Sequence, residues 1–251
     1  ARQLGISFPT ENITPLLTAA GCYIRRDNAI RRLVADYGDG WRCKIVLPAS
    51  RVQSKQLNIF QLVVRSPEGE ERTYRLPPAE YREIVAATNF KQRVRKVLEY
   101  YHADRLHYAV LGTPNRLEFD QGFFVKGGDG LADLKPIAHL YKSDVYELAQ
   151  HLGVPSEITA RPPTTDTYSL PQRQEEFYFP LPVLAMDSVL RGMNAGLDSA
   201  QAAQLAGLGA AETASVYAEV DRKRATTRYL HMPPLLVEDV REVVPDHRGA
   251  D

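Results

Sequence analysis

Residues 108–152 read YAVLGTPNRLEFDQGFFVKGGDGLADLKPIAHLYKSDVYELAQHL. The stretch opens on an apolar run, Tyr108 to Leu111, that breaks at Gly112-Thr113, as a buried parallel strand ends. It closes on a helix signal. Ser143 is a candidate N-cap, Asp144 falls in the first turn, and Val145, Leu148, Ala149 and Leu152 share a face. Gly153 and Pro155 then stop the helix. The connection between strand and helix is rich in Gly, Asp and Lys and longer than an ordinary loop. Loops held at the C-terminal end of a strand are where α/β proteins bind and transform ligands. The stretch therefore predicts an α/β fold and places its candidate site.

The length of the chain fits one large α/β domain or two small ones. Its 251 residues are 44% apolar and 25% charged, enough to build a substantial core. The formal net charge is zero, so nothing points to bulk nucleic-acid binding or to a membrane surface. The two cysteines, Cys22 and Cys43, form no pattern, which makes a reduced, cytoplasmic setting the default. Apolar runs fall far short of a bilayer span, and the first residues do not read as a secretory signal. The chain begins at Ala1 without Met. Leu4-Gly5-Ile6 reads as a helix end passing into a strand at 4–8, so the expectation is a preceding segment, with methionine removal as the plainer alternative.

Working outward in order, Thr14 to Ala20 is expected to be a helix capped by Thr14, with Pro15 at its first position. Arg25 to Tyr37 follows as a helix with Ile30, Leu33 and Val34 inward. Its arginines read as a solvated face rather than a phosphate contact. Cys43 to Leu47, Ile59 to Val64 and Thr73 to Leu76 read as strands, with a turn at Ser66-Pro67-Glu68-Gly69. Residues 42–77 are thus a small β-excursion, for packing or for an oligomer contact. Two helices are expected at 79–86 and 89–101, the second with Val94, Val97, Leu98 and Tyr101 on one face. Its N-terminal end, with nearby Lys91 and Arg93, faces the central loop and suits an anion. Arg161 to Asp166 reads as a rigid polar turn and residues 171–182 as an ordered loop or lid. Residues 183–191, 199–206 and 211–223 read as helices. The basic run 222–234 is weak evidence for a nucleic-acid arm, and 245–251 is expected to fray.

The six histidines lack metal-ligand spacing, and neither a G-x-S-x-G elbow nor a Walker-type loop is present. The central loop instead brings together Glu118, Asp120, Lys126, Asp129, Asp133, Lys135 and Lys142. Carboxylates with hydroxyls suit magnesium, and lysines suit phosphate oxygens. An ATP site needs that pairing, because a triphosphate carries about four negative charges. Taken singly, each residue reads equally well as a surface charge, and Gly127-Gly128-Asp129-Gly130 as any tight turn.

The ordered series is more specific. Thr113, Glu118, Gly122-Phe123-Phe124-Val125-Lys126, Gly128-Asp129-Gly130 with Asp133, Leu140-Tyr141-Lys142 and Pro163-Thr164 resemble the NAD synthetases in order and interval, over about residues 88–180. The resemblance implies a Rossmann-like parallel sheet flanked by helices, of the ATP-pyrophosphatase type. It implies a homodimer that converts nicotinic acid adenine dinucleotide (deamido-NAD) to NAD, using ATP, Mg2+ and ammonia, with ammonia favoured over glutamine as the direct nitrogen donor. It further implies Thr113, Thr164 and Lys142 as ATP contacts, with Lys142 on the triphosphate as the catalytic lysine. Glu118 becomes a magnesium ligand. Arg93, Lys126 and Asp133 become deamido-NAD contacts, and Arg222 with Lys223 matches a basic pair whose first member is usually His in the family.

One signature is absent. The Ser-Gly-Gly-x-Asp-Ser loop of the NAD synthetases does not occur in the sequence, so the resemblance implies a domain lacking its N-terminal strands, with the β-excursion as an insertion. Two further readings follow. One is a degenerate subunit that binds dinucleotide or dimerises without catalysis. The other is an ATP-pyrophosphatase ligase amidating a different carboxylate, which Arg93, Lys126 and Asp133 argue against.

Overall fold

The computed structural model describes residues 4–47, 60–165, 167–238 and 240. In order, the elements are α1 (Thr14–Ala19), α2 (Cys22–Arg31), β1 (Arg42–Val46), β2 (Gln61–Arg65), β3 (Glu71–Arg75), α3 (Pro78–Leu106), α4 (Arg116–Asp120), α5 (Lys142–His151), α6 (Ser156–Thr159), α7 (Gln174–Phe177), α8 (Val183–Asn194), α9 (Ser199–Ala206) and α10 (Ala210–His231). The protein is a helix-rich α/β structure built around two hydrophobic cores.

The first core belongs to the β-excursion. β1, β2 and β3 form an antiparallel sheet in that order, with Cys43 opposite Val64 and Ile45 opposite Leu62. Alternation along β1 and β2 turns Cys43, Ile45, Leu62 and Val64 to one face, where they pack on Ala29, Ile30 and Val34 from the α2 region and Ile84 of α3. The turn to β3 is closed by Gly69 N–H on the Ser66 carbonyl, with Gly69 at φ +94°. The second core joins Leu117 of α4, Phe179 and Leu181, Met186, Val189 and Leu190 of α8, and Val216 and Val220 of α10.

α3 packs on the first core through Ile84, with Tyr81 and Val85 beside it. It is one helix of 29 residues where two were expected, because nothing between 86 and 89 breaks it. Thr88 is buried and its hydroxyl donates to the Val85 carbonyl, so even this polar residue is satisfied within the helix.

The segment after α3 is extended. His107, at φ +56°, ends α3, and Val110 turns inward. Leu111 pairs in parallel with Leu134 as an isolated bridge, backed by Gly112 N–H on the Leu134 carbonyl. Parallel pairing among the described residues is confined to this bridge. Tyr108 and Leu111 are 71% and 57% exposed, so the apolar run is covered on one side only.

Several local expectations are corrected. Residues 4–8 form no strand. They lie without a neighbouring strand to accept a ladder, and Ile6 and Phe8 are exposed. α2 starts at Cys22 and ends at Arg31, where the Arg31 guanidinium donates to the Tyr37 carbonyl and closes the terminus. The N-cap of α5 is Tyr141 rather than Ser143, because the Asp144 carboxylate accepts the Tyr141 N–H at 2.9 Å. The face of α5 expected to be apolar and inward leaves Leu148 and Leu152 exposed. Residues 171–182 are no lid: Phe179 and Leu181 belong to the second core. The basic run from 222 lies mostly on α10, where Arg224 grips Asp120 with two hydrogen bonds of 2.6 and 2.7 Å. Ile59, Asp166 and the stretch 245–251 lie outside the described residues.

Candidate active site

A cavity of about 660 Å³ opens at the seam between the two cores. Phe60, Tyr81 and Phe177, packed against the first core, line one side. Phe123 and Tyr178, packed against the second, line another. The ring centroids of Phe123 and Tyr178 are 4.5 Å apart with an interplanar angle of 22°. These aromatic walls face a rim of charged and hydroxyl groups from the central loop, α3, α10 and the 164–174 segment.

The central loop is shaped by its glycines. Gly122 sits at φ +69°, and a Cβ there would stand 2.5 Å from the Thr227 Cβ. A Cβ on Gly130 would stand 2.2 Å from the Phe124 ring, and one on Gly128 2.9 Å from the Gln92 Cβ. The loop backbone is therefore pressed against α10 at Gly122 and against α3 at Gly128. The same turn directs the Asp129 carboxylate back to accept the Val125 N–H at 2.8 Å. Asp129 is half-buried, and burial, with the nearby Glu118 charge adding, pushes its carboxyl above the ordinary aspartate range.

Glu118 is held on both oxygens. Oε2 accepts the Asn115 N–H at 3.0 Å in the capping box that starts α4. Oε1 accepts from Gln174 Nε2 at 3.0 Å. Gln174 is in turn seated by the sheet: Leu47 N–H donates to the Glu176 carbonyl, Lys44 pairs with Glu176, and Gln172 Nε2 donates to the Ile45 carbonyl. The β-excursion thus positions a carboxylate partner across the cavity.

Cations gather on the facing side. Arg93 Nε donates to the Lys126 carbonyl at 3.3 Å, and Lys126 Nζ to the Tyr229 carbonyl at 3.0 Å. Lys223 Nζ lies 4.3 Å from the Tyr178 ring centroid, donates to the Tyr178 carbonyl, and pairs with Glu219 at 2.9 Å.

Six of the nine residues singled out from sequence line this cavity: Arg93, Thr113, Glu118, Lys126, Thr164 and Lys223. Three do not. Asp133 has its carboxylate turned to the Val110 N–H at 2.7 Å and the Tyr100 hydroxyl at 3.1 Å, where it pins the extended segment. Lys142 is the first residue of α5, its Nζ 5.4 Å from the Tyr146 ring centroid. Arg222 is exposed on α10, about 100° around the helix from Lys223. The start of α5 is fixed by α8: Asp187 accepts the Ser143 N–H at 2.7 Å, and Arg191 reaches both Ser143 Oγ and Asp144. Sequence reasoning missed Gln174 and the aromatic walls. The run Phe177-Tyr178-Phe179 was their one visible signal.

Among the described residues no group of three His, Cys, Asp or Glu side chains could hold a metal. The nearby Glu118 charge adds to the cost of ionising the Asp129 carboxyl. A divalent cation bound mainly by phosphate oxygens needs only one or two carboxylates, a number that Glu118 and Asp129 supply.

Aromatic rings, cations and carboxylates thus line one cavity of an α/β protein. A sequence model described as NAD synthase matches residues 68–226. The NH(3)-dependent NAD(+) synthetase of Rhizobium meliloti is 58% identical, over 97% of this chain and 72% of that protein. Its counterpart from Mesorhizobium japonicum is 56% identical, over 96% and 76%. That of Thermotoga maritima is 33% identical, over 75% and 60%. The solved NMN synthetase of Francisella tularensis overlaps 61% of this chain and 56% of its own at 24% identity, with a TM-score of 0.49. The chain belongs to the NAD synthase family.

Proposed function

We propose that the protein makes NAD from deamido-NAD, consuming ATP and taking ammonia directly as nitrogen donor. The observation that carries this reading is the meeting of Arg93, Thr113, Glu118, Lys126 and Thr164, from three separate parts of the chain, around one cavity. The direct use of ammonia is supported by the names of relatives that are 52–58% identical over nearly the whole chain.

The reaction joins two anions before it joins carbon to nitrogen. The pyridine carboxylate attacks the α-phosphorus of ATP, pyrophosphate leaves, and an acyl-adenylate forms. Ammonia then attacks the activated carbonyl and AMP departs with the carboxyl-derived oxygen. No side-chain nucleophile is required, so catalysis consists of orientation and charge compensation. Arg93, Lys126 and Lys223 offset the dinucleotide phosphates. The hydroxyls of Thr113 and Thr164 hold ATP; Lys142, which the resemblance offers as the lysine on the triphosphate, stands at the start of α5 outside the cavity lining. Glu118, with Asp129 beside it, would hold Mg2+, which supplies charge neutralisation on the polyphosphate when bound. Asp133 and Arg222, which the resemblance offers as dinucleotide contacts, lie outside the cavity lining and take no part in this reading.

The domain reading is one NAD synthetase-like domain with the sheet of residues 42–77 inserted in it. A homodimer belongs to the same reading, supported by exposed Leu106, Tyr108 and Leu111 around an apolar groove. A cytoplasmic setting is supported by the two free, buried cysteines.

The test is product analysis with the full-length protein, deamido-NAD, ATP, magnesium and ammonium. NAD, AMP and pyrophosphate should appear in equal amounts, and glutamine should not replace ammonium. ADP in place of AMP, or ATP consumption without NAD, would overturn the reading.

A further inference from the structure

Beyond seating Gln174 against Glu118, the β-excursion has been given no contact with a ligand, and its first two strands lie upstream of the span matched by the family model. Yet two of its residues, Leu47 and Phe60, line the cavity. Phe60 leads into β2, with its carbonyl held by the Leu76 N–H at 2.9 Å. Its ring lies nearly parallel to that of Tyr81, with centroids 4.3 Å apart and an interplanar angle of 18°. Phe177 stands 6.2 Å away at 46° and closes the corner. The corner is rigid. Leu47 and Lys44 tie β1 to Glu176, next to Phe177, and Tyr81 sits on the first turns of α3.

We propose that Phe60, with Tyr81 and Phe177, forms a ring-binding subsite for a heteroaromatic ring of deamido-NAD, supplied by the inserted sheet. The inference rests on the function proposed above. A paired aromatic surface bordering a cavity offers a planar ligand face-on and edge-on contact together. Arg93 and Lys126 line the same cavity, so a ligand whose ring is seated on Phe60 has cations for its phosphates within that cavity. The wall is aromatic and uncharged, which suits a ring and disfavours a triphosphate. ATP also carries an adenine, so the KM for ATP is the arm that separates the dinucleotide from ATP as occupant.

The test is steady-state kinetics of Phe60→Ala, Phe60→Leu and Phe60→Tyr in the full-length protein, with thermal melts of each. Loss of a base-stacking aromatic predicts a rise of about tenfold in KM for deamido-NAD in Phe60→Ala. The KM for ATP and kcat should stay within about twofold. Phe60→Tyr should restore the wild-type KM and Phe60→Leu should not, because leucine fills the wall without offering a ring. Nicotinic acid mononucleotide, which lacks the adenine, identifies the ring. If its weak binding also responds to Phe60→Ala the pyridine is seated there, and if not the adenine is. An unchanged deamido-NAD KM in a folded Phe60→Ala protein overturns the subsite alone, as does an equal rise in the ATP KM or full rescue by leucine. A wild-type protein that makes no NAD overturns the function and the subsite with it.

Discussion

Gln174 donates through Nε2 to Oε1 of Glu118 at 3.0 Å, 56 positions apart in the chain. The bond links the segment laced to the small sheet with the carboxylate at the start of α4. Gln174 is nearly buried, so its amide has few other partners within reach. With Oε2 already held by the Asn115 N–H, the bond leaves Glu118 a single orientation toward the cavity.

Removing that bond should therefore damage activity more than stability. Gln174→Ala is expected to lower kcat/KM by about tenfold to a hundredfold, the range for groups that orient a metal-binding side chain. The melting free energy should change by only about 1 kcal/mol, the net worth of one hydrogen bond. Parallel kinetics and denaturant titration check this. A variant with wild-type kinetics would show that Glu118 needs no second anchor.

Gly122 bears on the opposite side of the site. Its φ of +69° and the 2.5 Å approach of Thr227 leave no place for a methyl group. Gly122→Ala is expected to cost about 2 kcal/mol or more, read from thermal or urea unfolding. The clash is with the Cβ of Thr227, so adding Thr227→Ala should not restore stability. Restoration by that second change would contradict the close packing of the loop on α10.

Asp129 gives a pH dependence of unusual sign. Its folded carboxyl sits above the ordinary range, chiefly because it is buried, so ionising it costs the folded state. Its contribution to stability is fully present below the unfolded value of about 4 and is lost as pH rises through the folded value. Asn keeps the Oδ1 acceptor for the Val125 N–H and carries no charge. Asp129→Asn is thus expected to melt at or above the wild-type temperature at neutral pH, with the two proteins converging as the solution is acidified. Melts across that range decide it, and a less stable Asn variant at neutral pH would show that the charge is compensated.

The sequence exposed the chemistry better than the geometry. The α/β class and the three strands of the excursion were readable from local pattern, and the cavity-lining residues Arg93, Thr113, Glu118, Lys126, Thr164 and Lys223 from the resemblance to the NAD synthetases. Gln174 and Phe60 were not, because their roles arise from contacts across the fold. Gln174 meets Glu118 only when the 169–176 segment lies along β1. Phe60 reaches the cavity only when β2 folds over α3. Asp133 illustrates the converse: its spacing marked it as a ligand contact, while its carboxylate holds the backbone of Val110. The ends of α2 and α5 shifted because Arg31 and Asp144 close them through side-chain contacts that helix periodicity does not register.

The account depends on Glu118 acting at the centre of a nucleotide site rather than as a helix cap alone. The most direct measurement is the rate of NAD formation from deamido-NAD, ATP and ammonium by Glu118→Gln beside the wild type, with melting temperatures recorded. The substitution keeps the shape and an acceptor for Asn115, so the fold should melt within a few degrees of wild type. The rate is expected to fall by about a hundredfold or more, the scale of losing a key electrostatic contact to the reacting groups. A Glu118→Gln protein that forms NAD at the wild-type rate would contradict it.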